Sequence, residues 1–263
     1  MRTAQQASVA TGPRVRVPVA AGDGAGHAVV RPLTGTEEAA AQESAELATQ
    51  PWITAMLRTA VVALPGAEPD LETLRGLTVG DRNSLLLGVI LATYGPRLTW
   101  QLDCSCGESL HVEVDLRELL RRADADSGDA AALLPGARLP TGADLEAVAQ
   151  AADVDAAWAE LVARCAGDLP EGPDGLELVE SRMAAADPLA DIALRPTCWQ
   201  CHAVVSLSLD PAVELAARLA SWADLLYDVH ALARAYGWSE PDVLALPRPR
   251  RADYLLLIAD VGE

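Results

Sequence analysis

No phenylalanine occurs in the chain, so aromatic packing falls to six tryptophans and four tyrosines, with leucine and alanine filling the rest of any core. No apolar run is long enough to span a bilayer. The longest near the middle, Leu85 to Ala92, is broken by Gly88 and falls far below the roughly 20 residues that a spanning helix needs. The N-terminus, Met1-Arg2-Thr3-Ala4-Gln5-Gln6, carries no apolar stretch of the secretory type, which points to a cytoplasmic chain. Positive charge is scarce: 20 basic residues face 38 acidic ones, the net charge is −18, and no dense basic stripe interrupts the excess. Such a field repels phosphate backbones and anionic membranes, so no nucleic acid is expected as partner. Catalytic signatures are missing too. There is no His-Glu-x-x-His, no Gly-x-Ser-x-Gly elbow and no Gly-x-x-x-x-Gly-Lys loop. Gly22-Asp23-Gly24-Ala25-Gly26-His27 is rich in glycine but precedes no helical pattern. A non-enzyme with no small-molecule substrate is the expectation.

With 263 residues, 51% of them hydrophobic, the chain is long enough to bury a core as one elaborated domain or two small ones. Residues 1–50 are rich in Ala, Gly, Thr and Gln, with only the short alternation Val15-Arg16-Val17-Pro18-Val19, and read as a flexible arm. A single domain is expected over 51–263. It divides into a first helix and knuckle unit (51–120), an acidic insert (121–187) of variable type with helical pieces near 142–151 and 153–165, and a second knuckle with C-terminal helices (188–263).

Within 51–120, Ile53, Leu57, Ala60 or Val61, and Leu64 recur at helical spacing until Pro65-Gly66. Thr78, with Asp81 three residues on, caps a second helix that is apolar nearly all round and stops at Gly95-Pro96. Near the C-terminus, Leu215, Leu219, Trp222, Leu226, Val229, Ala233 and Tyr236 alternate spacings of four and three. They predict one long helix from Asp210-Pro211 to Gly237, flanked by Leu225 and Leu232.

Only five cysteines occur, too few for a disulfide scaffold, and four fall in close pairs. Cys165 stands alone and reads as a small buried residue on a helix. The two pairs sit in an internal repeat. Cys104-Ser105-Cys106 leads to Leu110-His111-Val112-Glu113-Val114-Asp115, and Cys198-Trp199-Gln200-Cys201 leads to Val205-Ser206-Leu207-Ser208-Leu209-Asp210. From the second cysteine to the aspartate both span nine residues, and an offset of 95 aligns every apolar and polar position between them. Each unit reads as strand, knuckle, strand and an Asp-capped helix. Two such half-sites supply the four thiolates of a closed, tetrahedral, structural Zn2+ site, with Gly107 easing the first turn. The fold class that follows is α+β: mostly helical, with two β-hairpin cysteine knuckles forming a split zinc-ribbon-like site. Cys104-x-Cys106 is one residue shorter than the usual knuckle. His202 or Asp103 in place of one cysteine, or two cysteine pairs without metal, remain open at this point.

A different zinc chemistry has a partial match. Nucleobase deaminases carry His-x-Glu and Pro-Cys-x-x-Cys, and His111-Val112-Glu113 with Pro196-Thr197-Cys198-Trp199-Gln200-Cys201 is similar. Pro196 is not adjacent to Cys198, however, His111 and Glu113 fall on the polar face of a strand, and Cys104 and Cys106 would go unused. A zinc-dependent deaminase-like hydrolase and an unrelated zinc-ribbon adaptor are the alternative readings.

Four segments carry a resemblance to a family. Leu77-Thr78-Val79-Gly80-Asp81-Arg82-Asn83-Ser84-Leu85-Leu86-Leu87 ahead of a cysteine pair resembles the T4-type phage baseplate hub assembly chaperones. So do Asp187-Pro188-Leu189-Ala190-Asp191-Ile192 ahead of Cys198-x-x-Cys201, and Arg138-Leu139-Pro140-Thr141-Gly142-Ala143-Asp144-Leu145. The stretch Asp228-Val229-His230-Ala231-Leu232-Ala233-Arg234-Ala235-Tyr236-Gly237-Trp238-Ser239-Glu240 is similar to the family's most distinctive segment. The likeness covers about residues 50 to 260. It implies a part in a contractile phage tail or a phage-derived injection system, as a transient chaperone or a retained component, with baseplate or hub proteins as partners. The shortened Cys104-x-Cys106 departs from the commoner family spacing. Tyr236 and Trp238, at a helix stop and restart, have two readings: a partner-binding surface, or internal packing of the helix corner.

Overall fold

A computed structural model describes residues 12–20, 26–43, 47–125, 133, 135–167 and 175–261. Among the described residues helices dominate, and three small antiparallel sheets accompany them, so the chain is α+β. No described helix is long and apolar enough to cross a membrane.

At the centre lies α4 (Val79–Tyr94). Leu85, Leu86, Leu87, Val89 and Ile90 are all fully buried, as the all-round apolar pattern requires, each stabilising the fold by about 1.5–3 kcal/mol. The Thr78 hydroxyl accepts the Asp81 N–H at 3.2 Å, capping the helix as expected. The Asp81 carboxylate meets the Thr78 side chain but takes no hydrogen bond from the cap's backbone N–H, so the capping box is not completed. The carboxylate accepts the Ala20 N–H at 2.7 Å instead, from the end of β1 (Val15–Val19).

β1 pairs with β2 (Gly26–Val30), and β2 with β3 (Val61–Ala63), in one three-stranded sheet that lies on α4. The contact needs a glycine. A Cβ on Gly88 would stand 2.6 Å from a Val17 methyl and 3.0 Å from one of Val30. Val17, Ala28, Val30 and Leu33 are fully buried in the main core. The flexible-arm reading of residues 1–50 therefore fails for 15–19 and 26–43, and residues 1–11, 21–25 and 44–46 lie outside the described residues. Alternation in one five-residue segment understated a strand that packs on a helix distant in sequence.

α1 (Gly35–Gln42) follows the sheet, with a full capping box between Thr34 and Glu37. α2 (Gln50–Ala60) ends earlier than its spacing suggests, because Val61 and Val62 leave the helix to complete the sheet as β3. The short α3 (Leu71–Gly76) leads into α4. After α4 comes a hairpin of β4 (Arg97–Asp103) and β5 (Ser109–Asp115), then α5 (Leu116–Ala125).

The insert holds α6 (Gly142–Val148), α7 (Val154–Cys165) and α8 (Gly175–Ala186), with Cys165 buried as expected. It is sewn to the core rather than laid over it. The Val79 N–H donates to the Pro140 carbonyl, Gly142 N–H to Leu77, and Gly80 N–H to the Asp187 carboxylate at 2.9 Å. Asn83 donates to Leu189, and Gly142 has no room for a Cβ because the Arg82 guanidinium lies against it. Three of the four segments that carry the family resemblance thus meet at the N-terminus of α4.

The second hairpin is shorter: β6 (Ile192–Leu194) and β7 (Leu207–Leu209), followed by α9 (Pro211–Leu219). The single C-terminal helix is in fact two. The chain breaks at Ala220-Ser221, and α10 (Trp222–Tyr236) starts afresh. Leu225 and Leu232 become its buried positions, while Leu226 is 44% exposed. α11 (Glu240–Leu244) and α12 (Arg248–Val261) close the chain. Arg251, fully buried, pins α12 by donating to Glu38 at 2.7 Å, Asp228 at 3.0 Å and the Leu246 carbonyl. Burial raises the Glu38 pKa and the arginine opposes the rise, so the pair is compensated rather than stranded.

Candidate metal centre

The β4–β5 hairpin pairs continuously from Arg97 with Asp115 to Asp103 with Ser109, which delivers Cys104 and Cys106 at its tip. The tip closes by two hydrogen bonds, Cys104 N–H to Glu108 and Gly107 N–H to Cys104, with Gly107 at φ +92°. The second tip closes the same way with one more residue: Cys198 N–H to Ala203 and His202 N–H to Cys198, with His202 at φ +60°. Each knuckle therefore ends on a left-handed residue directly after its second cysteine, which turns the chain back towards the sulfur atoms.

The helices that follow are capped alike. Asp115 accepts from the N–H groups of Arg117 and Glu118 at 2.8 and 3.4 Å, and Asp210 from those of Ala212 and Val213 at 2.8 and 3.2 Å. The repeat read from the sequence is a structural repeat, unit for unit.

The two tips face one another. Cys104 Sγ lies 3.5 Å from Cys201 Sγ, Cys106 Sγ lies 3.7 Å from Cys198 Sγ, and all four sulfurs fall within 4.8 Å of each other. These contacts are far longer than the ~2.05 Å of a disulfide and near the ~3.8 Å edge of a tetrahedron with ~2.3 Å metal–sulfur bonds. Cys104 and Cys198 are buried against Leu110, with Leu102 and Val205 packed behind, whereas Cys106 and Cys201 face outward. Such a donor set can hold a metal ion.

Backbone N–H groups and neighbouring sulfurs split the acidities of Cys104, Cys106 and Cys201. The Cys106 backbone N–H draws the Cys104 thiol down to about 7. Cys106 accepts from the Glu108 N–H, which lowers it, but its sulfur neighbours and burial push it up to about 12. Cys201, despite a hydrogen bond from the Ala203 N–H, is raised by Cys104. One negative charge settles easily among the sulfurs and further charges are resisted. A divalent cation is what would let all four ionise.

Other sequence candidates fall elsewhere. Neither His202 nor Asp103 belongs to the cysteine group. His111 and Glu113 lie on the exposed face of β5, where Glu113 pairs with Arg97 at 3.2 Å, and neither belongs to it. The deaminase ligand set is not assembled. Tyr236 and Trp238 stack at 4.9 Å, and both meet the edge of Tyr254, at 5.7 and 4.9 Å. The rings do pack the helix corner, with Tyr236 still 40% exposed. Tyr254 escaped the sequence reading because nothing in α12 marks the side that folds back on the corner.

No family model, no curated protein and no solved structure matches the chain.

Proposed function

We propose that the chain is a non-catalytic assembly protein of a phage-like contractile tail or injection system. It acts by binding baseplate or hub proteins, on a scaffold whose two knuckles share one structural Zn2+ held by Cys104, Cys106, Cys198 and Cys201. The observation that carries the reading is the closed donor set: four sulfurs from hairpins more than ninety residues apart, two of them sealed behind apolar side chains. Four protein ligands leave a tetrahedral zinc no position for water, so the ion crosslinks the fold instead of activating a nucleophile. Thiolates favour zinc among divalent ions of invariant charge. The family likeness, spread in order from about residue 50 to 260, supplies the assembly context.

Metal analysis of the purified chain is expected to give about one zinc per chain. Expressed in its native setting, the chain is expected to co-purify with hub or tube proteins. A chain that stays free in lysate while particles assemble normally without it would sink the assembly role. Zinc-dependent hydrolysis lost in Glu113→Gln would replace it with the enzyme reading.

A further inference from the structure

The fold builds the basic patch that the linear sequence does not display. Between β1 and α5 runs a groove of about 530 Å³ whose rim carries Arg14, Arg16, Arg117, Arg121, His27 and Asp124. Its apolar lining includes Leu91, Ala92 and Leu120. Arg121 is held by Glu118 at 2.8 Å, and His27 lies 3.5 Å from Asp124. Among the described residues, the guanidiniums of Arg14, Arg16 and Arg117 have no carboxylate partner. They converge on one groove in a chain with 38 acidic residues. Elsewhere Arg31, Arg138 and Arg251 are each clasped by a carboxylate within 3 Å.

We propose that this groove docks an acidic, leucine-type segment of a partner protein. The inference stands independently of the baseplate reading. Carboxylates of the segment would take up the three arginines, in the forked geometry that guanidinium favours, while aliphatic side chains cover the apolar lining. A purely apolar segment would strip water from those cations and return nothing. A nucleic acid strand would meet the −18 field over the rest of the surface, whereas a short peptide meets only the rim. The volume falls within the roughly 300–1,000 Å³ of ligand-sized clefts.

The test uses the full chain and fluorescence anisotropy. The probes are a short fluorescein-labelled peptide of alternating Glu and Leu, its Gln and Leu counterpart, and a labelled oligothymidylate. The Glu–Leu peptide is expected to bind, to weaken with added salt, and to lose about tenfold or more in affinity to the exposed double variant Arg16→Glu, Arg117→Glu. An unchanged melting temperature certifies the fold, with Arg16→Gln, Arg117→Gln in reserve should the reversal unfold it. No binding of the Glu–Leu peptide, equal binding of the Gln–Leu peptide, or equal binding by the variant overturns the proposal. Oligothymidylate binding tighter than the peptide overturns it in favour of nucleic acid.

Discussion

The two cysteine units are copies in plan and unequal in strength. The first hangs on seven-residue strands with a complete ladder, the second on three-residue strands. The first turn ends on a glycine at positive φ, the second on a histidine. Cross-strand pairs stabilise a hairpin in proportion to their number, and an isolated short hairpin is marginal in water. The first unit can hold its shape through its own backbone. The second, with fewer pairs, leans more on what it packs against: the main core through Ile192 and Leu209, and the sulfurs of the first.

Severing the grip gives the largest expected effect. Cys198→Ser, or removal of the proposed zinc by a chelator, is expected to cost about 3–5 kcal/mol of stability. Hydrogen exchange locates the loss: amides of 192–194 and 207–209 should exchange before those of 97–103 and 109–115. Simultaneous loss in both hairpins would show that they are equals, and unchanged melting with and without chelator would show that no ion joins them.

The units also meet away from the metal, where Asp187, just before the second, accepts from Gly80 on the helix leading into the first. Asp81 lies beside it. Burial pushes its carboxyl up to about 6, Asp187 adds to the rise, and the Ala20 N–H opposes it. A folded pKa above the ordinary ~3.9 means that the native state binds the proton more readily between about pH 4 and 6. This contribution to stability is full below about pH 4 and is lost as pH rises through 6. Asp81→Asn keeps an acceptor for Ala20 without the buried charge. It is expected to gain about 1–3 kcal/mol over the parent near pH 7.5 and almost nothing near pH 4. An equal gap at both pH values would mean that the joint is indifferent to charge.

Local patterns were legible in the sequence, and so was one distant contact, the meeting of the two cysteine pairs, because a repeated motif marks both halves; the other distant contacts were not. The turn of each knuckle and the caps at Thr78 and Asp210 lie within a few residues of their partners, and the alternation of Leu110, Val112 and Val114 repeats in Val205, Leu207 and Leu209. Gly237, at φ +68°, stops α10 where the sequence places a stop. β1 was underread because Val17 is buried by Gly88, about seventy residues away. β3 was read as helix because Val61 completes a helical spacing, and only its partner Val30 makes it a strand. The break at Ala220-Ser221 has no proline or glycine to announce it, and spacing alone cannot separate one long helix from two. Asp81 was assigned to its own helix cap alone, while its carboxylate also accepts the Ala20 N–H just past β1.

Smaller effects ask whether the copies match where their geometry does. Asp115→Ala and Asp210→Ala each remove a cap with nearly identical distances, so each is expected to cost about 1 kcal/mol. Denaturant melts that separate the two by more than about 1 kcal/mol would mean that the helices lean on their caps unequally.

The smallest effect addresses the turns themselves. His202 holds φ +60°, where a β-carbon costs about 1–2 kcal/mol, and glycine would avoid that at a cost of about 0.5–1 kcal/mol in unfolded-state entropy. His202→Gly is therefore expected to stabilise by about 0.5 kcal/mol. At the matching position Gly107, φ +92° is more demanding, and Gly107→Ala should destabilise by about 1 kcal/mol although nothing lies within 4 Å of the added carbon. Opposite signs at equivalent positions, read from paired thermal melts with metal present, would separate backbone strain from side-chain contact. The same sign at both would mean that the His202 ring stabilises the second turn by more than its backbone loses.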